Sequence, residues 1–325
     1  MQSVSRRGFV ISATAAGAAF GLDGPLEFIG SAIGQSNPSP SLLEKGFFKF
    51  KVGDVEVTQI YDGIWNRELQ DGFVKNAMLA DVQDALKAAG LAPNIVPIPF
   101  TVTAVTIGGK TTLIDSGTGT PGQVQPSAGL ASAKNLAAAG IDTGNVENIV
   151  MSHFHPDHIS GLMAKDTNAE LFPKATIHVS APELAWWTGS SVPPAAQGLA
   201  TRIKATLGTW KNVKTFEGDK EVVAGIRSIA TPGHTPGHTS YHVGSGSQQL
   251  IIQGDLTNIP ALFVRNPGWH AVFDTDAAMA EATRRKMLDR AIADKATITG
   301  YHYGLPGAGT IAKDGSGYVF TAISA

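Results

Sequence analysis

The stretch MSHFHPDHIS, residues 151–160, sets His153, His155, Asp157 and His158 within six positions. The chain has nine histidines in 325 residues, so a third of them stand in one segment. Imidazole nitrogens and carboxylate oxygens are ligands for divalent cations. The chain has no cysteine, so any metal must be held by histidines and carboxylates, and no disulfide can form. A histidine-rich surface loop is the plain alternative. Such a loop would need no strand leading into it and no partners elsewhere. Here NIVMS reads as a short buried strand that runs straight into the cluster. On extended backbone His153 and His155 point the same way. Pro156 then turns the chain and Asp157 begins a helix, so Asp157 and His158 can face a second metal beside the first.

Three further stretches complete the set. TPGHTPGH (231–238) offers His234 on a Gly/Pro-shaped turn after a strand. IIQGDL ends a buried strand with Asp255, a carboxylate in an apolar run that requires a partner such as a metal. ITGYHY ends another strand with His302. All four stretches are strand ends, where α/β proteins place their sites.

The elements that must position these residues follow from periodicity and turn chemistry. FFKFKVGDVEVTQIYDG reads as two short strands around a Gly53–Asp54 turn, and TVTAVTIGGKTTLIDSG as a hairpin around Gly108–Gly109. DVQDALKAAG (81–90) and SAGLASAKNLAAAG have helical spacing and end on glycine. ATIHVS is a strand, and APELAWW starts a helix with Pro182 in its first turn. VVAGIRSIATPG, TSYHVGSG and QQLIIQGD are successive strands. DTDAAMAEATRRKMLDRAIAD is the longest helix, capped by Asp274 or Thr275. ATITGYHY and SGYVFTAI are strands. Strand-rich runs with intervening helices thus occur twice. That pattern predicts an α/β protein built as a four-layer αβ/βα sandwich, with residues 46–325 as a single domain.

The N-terminus has a different composition. Residues 1–34 carry paired Arg6 and Arg7, then a mild Ala/Gly-rich run. The run is too short and too weakly apolar to span a bilayer, so no stable membrane insertion is expected. The segment resembles a Tat-type export signal. That implies the Tat translocase as a partner during export, and a periplasmic or secreted protein. Residues 35–45, QSNPSPSLLEK, read as a polar linker. The formal charge is −2 with no long basic run, which argues against a nucleic-acid partner.

SHFHPDH, TPGHTPGHTSY, QGDL and YHY together resemble the metallo-β-lactamase fold superfamily over nearly all of 46–325. The likeness is to the methyl parathion hydrolase-like and lactonase-like branch. YHYGLPGAGTIAKDGSGYVFTAI looks like that branch's end, a liganding histidine, an aromatic/Pro-Gly turn and a final hairpin. The resemblance implies that His153, His155 and His234 hold one metal. It implies that Asp157, His158 and His302 hold the other, with Asp255 bridging both. Two divalent cations are then expected, zinc first, with manganese, iron or cobalt as alternatives. Their bridging hydroxide would attack lactones, aryl esters or organophosphate triesters, and Asp157 would orient it or shuttle its proton. His238 reads as a hydrogen-bonding support, and His178 and His242 as ordinary strand histidines.

The chain also departs from relatives of this fold. The absent cysteine excludes the β-lactamases with a cysteine ligand. Well-known acyl-homoserine lactonases carry a tyrosine three residues after the bridging aspartate, where this chain has Asn258. A mononuclear iron persulfide dioxygenase-like oxidoreductase on the same fold is the alternative function. Trp65, Trp187, Phe263, Trp269 and Phe273 are candidates for an aromatic pocket that would favour an apolar or aryl substrate. His270 is a candidate for its mouth. The N-terminal strands offer an apolar surface on which two subunits could pair as a homodimer.

Overall fold

The structure, a computed structural model, describes residues 39–324. Residues 1–34, read from the sequence as an export signal, and residues 35–38 lie outside the described residues. Within the stretch read as linker, Pro40–Lys45 form a helix. Ser39 accepts from the Leu42 N–H, Pro40 opens the first turn, and Gly46 closes the end at φ 79°. Those are start and stop signals, so the polar composition misled the linker reading.

Among the described residues, fourteen strands form two seven-stranded sheets. The first runs in chain order: β1 (Phe47–Val52), β2 (Val55–Glu68), β3 (Ile95–Ile107), β4 (Lys110–Ile114), β5 (Asn148–Val150), β6 (Thr176–Ser180) and β7 (Val213–Phe216). Its first four strands pair antiparallel and its last four parallel. The second holds β8 (Glu221–Val223), β9 (Ile226–Ala230), β10 (Thr239–Ser245), β11 (Gln248–Ile252), β12 (Thr297–Thr299), β13 (Ala308–Asp314) and β14 (Gly317–Ala322). Only β11 and β12 pair parallel there. The expected strands are present, but β2 is not short. It continues to Glu68 through a bulge between Tyr61 and Gly63. Gly63 sits at φ 117°, and a Cβ there would meet the Ser127 carbonyl oxygen at 2.2 Å. The glycine that reads as a strand end is therefore a bend within the strand.

Strand alternation builds the layers. Val150, Leu250 and Ile252 face between the sheets, in a cluster with Val57, Val105 and Tyr241. Their neighbours face outward. Ile149 packs among Leu136, Ile177 and Ile203 on the helix side of the first sheet. Ile251 packs with Met287 and Leu288 of helix Ala277–Ala293 on the second. Helix, sheet, sheet, helix is the predicted four-layer αβ/βα sandwich. The long helix is capped by Asp276, whose side chain accepts the Met279 N–H at 2.9 Å, and not by Asp274 or Thr275. Asp274 is used elsewhere.

Candidate metal centre

Four connections leave strands at one edge of the sandwich and converge. β5 leads to 151–158, β9 to 231–238, β11 to 253–258, and β12 to 300–302. Asp255 and His302 stand three residues past their strands, in turns, rather than on the strand ends themselves. Turns suit them, because backbone leaving a sheet can aim side chains across its edge.

Two sets of side chains meet there. His153 Nε2 and His155 Nδ1 lie 2.9 Å apart, and His234 Nε2 is 3.0 Å from the same Nδ1. In the second set, Asp157 Oδ2 is 3.5 Å from both His158 Nε2 and His302 Nε2. Asp255 reaches both sets. Its Oδ2 is 2.9 Å from His302 Nε2 and 3.4 Å from His234 Nε2, and its Oδ1 is 3.3 Å from His158 Nε2. All seven residues expected from the sequence are thus brought together.

The donor set fits divalent cations. His158 Nε2 and Asp255 Oδ1 are buried without a hydrogen-bond partner. Such orphaned atoms are costly in a protein interior unless something occupies the space between them. Burial first, then the neighbouring imidazoles, hold His153 and His155 well below the ordinary histidine range. Both therefore present neutral nitrogens with lone pairs. Burial works against charge on His158 and His302, but the Asp255 and Asp157 carboxylates outweigh it and raise both. Burial would raise Asp255, but His302 and His158 hold it well below the usual carboxylate range.

The His158, His234 and His302 rings are each oriented from behind. His158 Nδ1 stands 2.8 Å from Asp115 Oδ2, and Asp115 also accepts from the Ser152 N–H and hydroxyl, each at 2.7 Å. Asp115 takes φ 62°, a rare conformation for a non-glycine residue, which turns its carboxylate under the 151–158 loop. His234 Nδ1 lies 2.9 Å from Asp274 Oδ1, and Asp274 pairs with buried Arg284 at 3.2 Å. His302 Nδ1 donates to the Pro99 carbonyl at 2.8 Å. The Tyr301 hydroxyl donates to the Asp157 carbonyl at 2.6 Å. His238 Nε2 accepts the Asp255 N–H at 3.1 Å, the supporting role expected of it. Burial pushes its pKa down to about 3, so it stays a neutral acceptor. Such partners fix ring orientation and tautomer. Asp115, Asp274 and Tyr301 were not legible as site residues. An aspartate two residues before a glycine at a strand end (LIDSG) was the one signal available for Asp115. His178 and His242 bond to Asn148 and Gln249 as ordinary strand residues.

Beside the cluster lies a cavity of about 250 Å³. Trp65, Ile98, Phe100, Val124 and Phe273 form apolar walls, Gln125 and Asn258 add two amides, and five of the clustered residues form the floor. Two of the five expected aromatics, Trp65 and Phe273, therefore line it. The other three do not. Trp187 is 1% exposed and donates its indole N–H to Glu183 at 2.8 Å. It stands edge-on behind His155, because its helical position turns it inward and leaves Trp186 nearer the surface. Phe263 is fully buried in the first core cluster. Trp269 packs half-buried against that core, its carbonyl held by Arg284. His270 pairs with Glu281 at 2.9 Å instead of reaching the cavity mouth.

Comparison with known proteins agrees with this geometry. Among solved structures, the chain is similar to AidC, a dizinc quorum-quenching lactonase solved with its product. They share 26% identity over 86% of this chain and 98% of that one, at a TM-score of 0.79. AbOPH, a hydrolase of the β-lactamase superfamily, matches at 26% identity over 86% and 98%, with a TM-score of 0.76. A probable metal-dependent hydrolase from Staphylococcus aureus shares the fold at 19% identity over 85% and 100%, with a TM-score of 0.65. No curated protein matches the chain. The family model described as the metallo-β-lactamase superfamily matches residues 99–296, more than half of the chain, and takes in six of the seven clustered histidines and aspartates, all but His302. The chain belongs to the metallo-β-lactamase superfamily.

Proposed function

We propose that the protein is a dinuclear metal-dependent hydrolase of lactones, with aryl esters and organophosphate triesters as further substrates. The observation that carries this reading is Asp255. One carboxylate stands between a three-histidine set and an Asp–His–His set, with an orphaned oxygen facing an orphaned imidazole nitrogen. A mononuclear site needs no such bridge, so two cations, zinc in this reading, fit better than one iron. Two divalent cations supply a water acidic enough to ionise near neutral pH and a Lewis acid for the substrate oxygen.

The protein residues have distinct tasks. His153, His155 and His234 would hold one cation; Asp157, His158 and His302 the other; Asp255 both. Asp157 lines the cavity and is 17% exposed at its side chain, so it can orient the attacking water and take its proton. The apolar walls exclude bulk water and accept an uncharged ring or short chain. No lysine or arginine lines the cavity among the described residues, which disfavours anionic substrates. Asn258 Nδ2 lies 3.5 Å from Asp255 Oδ2 and supplies an amide donor, far less acidic than a tyrosine phenol at that position. This favours simple aliphatic and aryl lactones over acyl-homoserine lactones.

The test is elemental analysis of the purified protein with a hydrolysis panel. The panel spans aliphatic lactones, dihydrocoumarin, aryl esters, paraoxon-type triesters and a β-lactam. Two metal equivalents per chain and turnover of the lactones are expected. No hydrolysis across the panel by metal-replete protein would sink the assignment. We propose also that Arg6 and Arg7 direct export to the periplasm. Replacing both with lysine should leave the protein in the cytoplasmic fraction, and unchanged export would refute that route.

A further inference from the structure

Glu183 lies in the first turn of helix Ala181–Thr188, directly after β6. An acidic residue at that position ordinarily stays in water, close to the free N–H groups of the helix start. Glu183 is instead 1% exposed, and four donors converge on it. Its Oε1 accepts the Phe154 N–H at 2.9 Å and the Trp187 indole N–H at 2.8 Å. Its Oε2 accepts the Thr235 hydroxyl at 2.7 Å and the Gly237 N–H at 3.0 Å. Gly237 packs so close to the helix start that a Cβ there would meet the Glu183 nitrogen at 2.1 Å.

The donors are not a random selection. Phe154 stands between His153 and His155, and Thr235 directly follows His234. Trp187 presents its ring edge-on to His155, with centroids 6.3 Å apart. One buried carboxylate thus joins both loops that carry the three-histidine set. Its own oxygens touch none of the three imidazoles. Asp157, His158 and His302 are supported by other groups, namely Tyr301, Asp115 and the Pro99 carbonyl.

We propose that Glu183 is a positioning residue that preforms the three-histidine cation site, and that it acts selectively on that site. The inference rests on the reading of His153, His155 and His234 as a cation site. Burying an ionised carboxylate is costly, and four hydrogen bonds from two separate loops are what offsets it. In exchange the loops hold one relative placement without a cation present.

Glu183→Gln keeps the shape but replaces one acceptor oxygen with an NH₂ group. Two of the four donors then face a donor. The experiment titrates chelator-stripped full-length protein with Co²⁺, read by visible d–d bands and by cobalt bound per chain. Wild type should bind two equivalents. Glu183→Gln should bind one of them about 10–100-fold more weakly, with the other unchanged. Thr235→Val removes a single donor and should weaken the same equivalent by a smaller factor; it decides the matter if Glu183→Gln fails to fold. Wild-type affinity for both equivalents in the variant that folds overturns the proposal. Equal weakening of both equivalents overturns it too, since that marks a general structural role. A wild-type protein that binds no cobalt overturns the cation reading itself, and this inference with it.

Discussion

At the scale of single residues, Asp255 is the most informative. Its 4% exposure leaves it little water, and three imidazoles lie within 3.4 Å of its oxygens. Asp255→Ala should lose metal and activity together, by elemental analysis and lactone turnover on the same preparation. Full metal with full activity would mean that the bridge is wrongly assigned. The two tryptophans make a sharper contrast. Trp65→Ala removes a cavity wall and should raise KM for aryl lactones on the order of tenfold. In metal-replete protein Trp187→Phe should leave KM unchanged and lower unfolding stability by about 1–3 kcal/mol, because a buried carboxylate loses a donor. If Trp187→Phe moved KM as far as Trp65→Ala, Trp187 would belong to the cavity after all. The crowding of four of the seven within six positions, with the resemblance of the other three stretches to a known superfamily, made the clustered residues legible. Pocket aromatics were not legible, because Phe263 and Trp65 look alike in sequence. Only the face of the element to which each belongs separates core from cavity.

At the scale of elements, the segment after β4 is held by Asp62. Its carboxylate accepts the Thr118 N–H at 2.6 Å, the Thr118 hydroxyl at 2.8 Å and the Ala131 N–H at 2.7 Å. The segment so pinned carries Val124 and Gln125 to the cavity. Burial nevertheless outweighs these bonds and raises the Asp62 pKa to about 6. The native state therefore holds this proton more tightly than the unfolded chain. Its contribution to stability is present below the unfolded pKa near 4 and is lost as pH rises through about 6. The span corresponds to about 3 kcal/mol. Denaturant unfolding between pH 4 and 7 should show this slope in wild type and lack it in Asp62→Asn. Parallel pH profiles for the two proteins would refute the assignment. The strands and the long helix were readable from alternation and helical spacing. The β2 bulge, the helix Pro40–Lys45 and the Asp276 cap were not, because each turns on a local signal that fits two backbone paths. Gly63 serves a strand end and a bend equally well, and Asp276 stands beside Thr275, which could have capped the helix.

At the scale of the molecule, the candidate ligands divide between the two halves of the sandwich. His153, His155, Asp157 and His158 follow the first sheet's β5; His234, Asp255 and His302 come from the second sheet's connections. Cation binding must therefore stabilise both halves at once. At a free metal concentration a hundredfold above Kd, each site adds about 2.7 kcal/mol. Stripping the metal should lower Tm by at least about 5 °C, restored by adding cation back. An unchanged melt by calorimetry would contradict a site shared between the halves. The two-sheet architecture was legible from the repeated strand-and-helix pattern alone, since each amphipathic element must bury one face against another layer.

The position of His302 has a consequence for how the protein is made. It stands some 150 residues after the first histidine of the cluster. During synthesis the first four side chains leave the ribosome long before the last. A chain arrested before residue 302 carries only part of the set, however well its first sheet has formed. Tight cation uptake would then mark a polypeptide whose translation has passed residue 302.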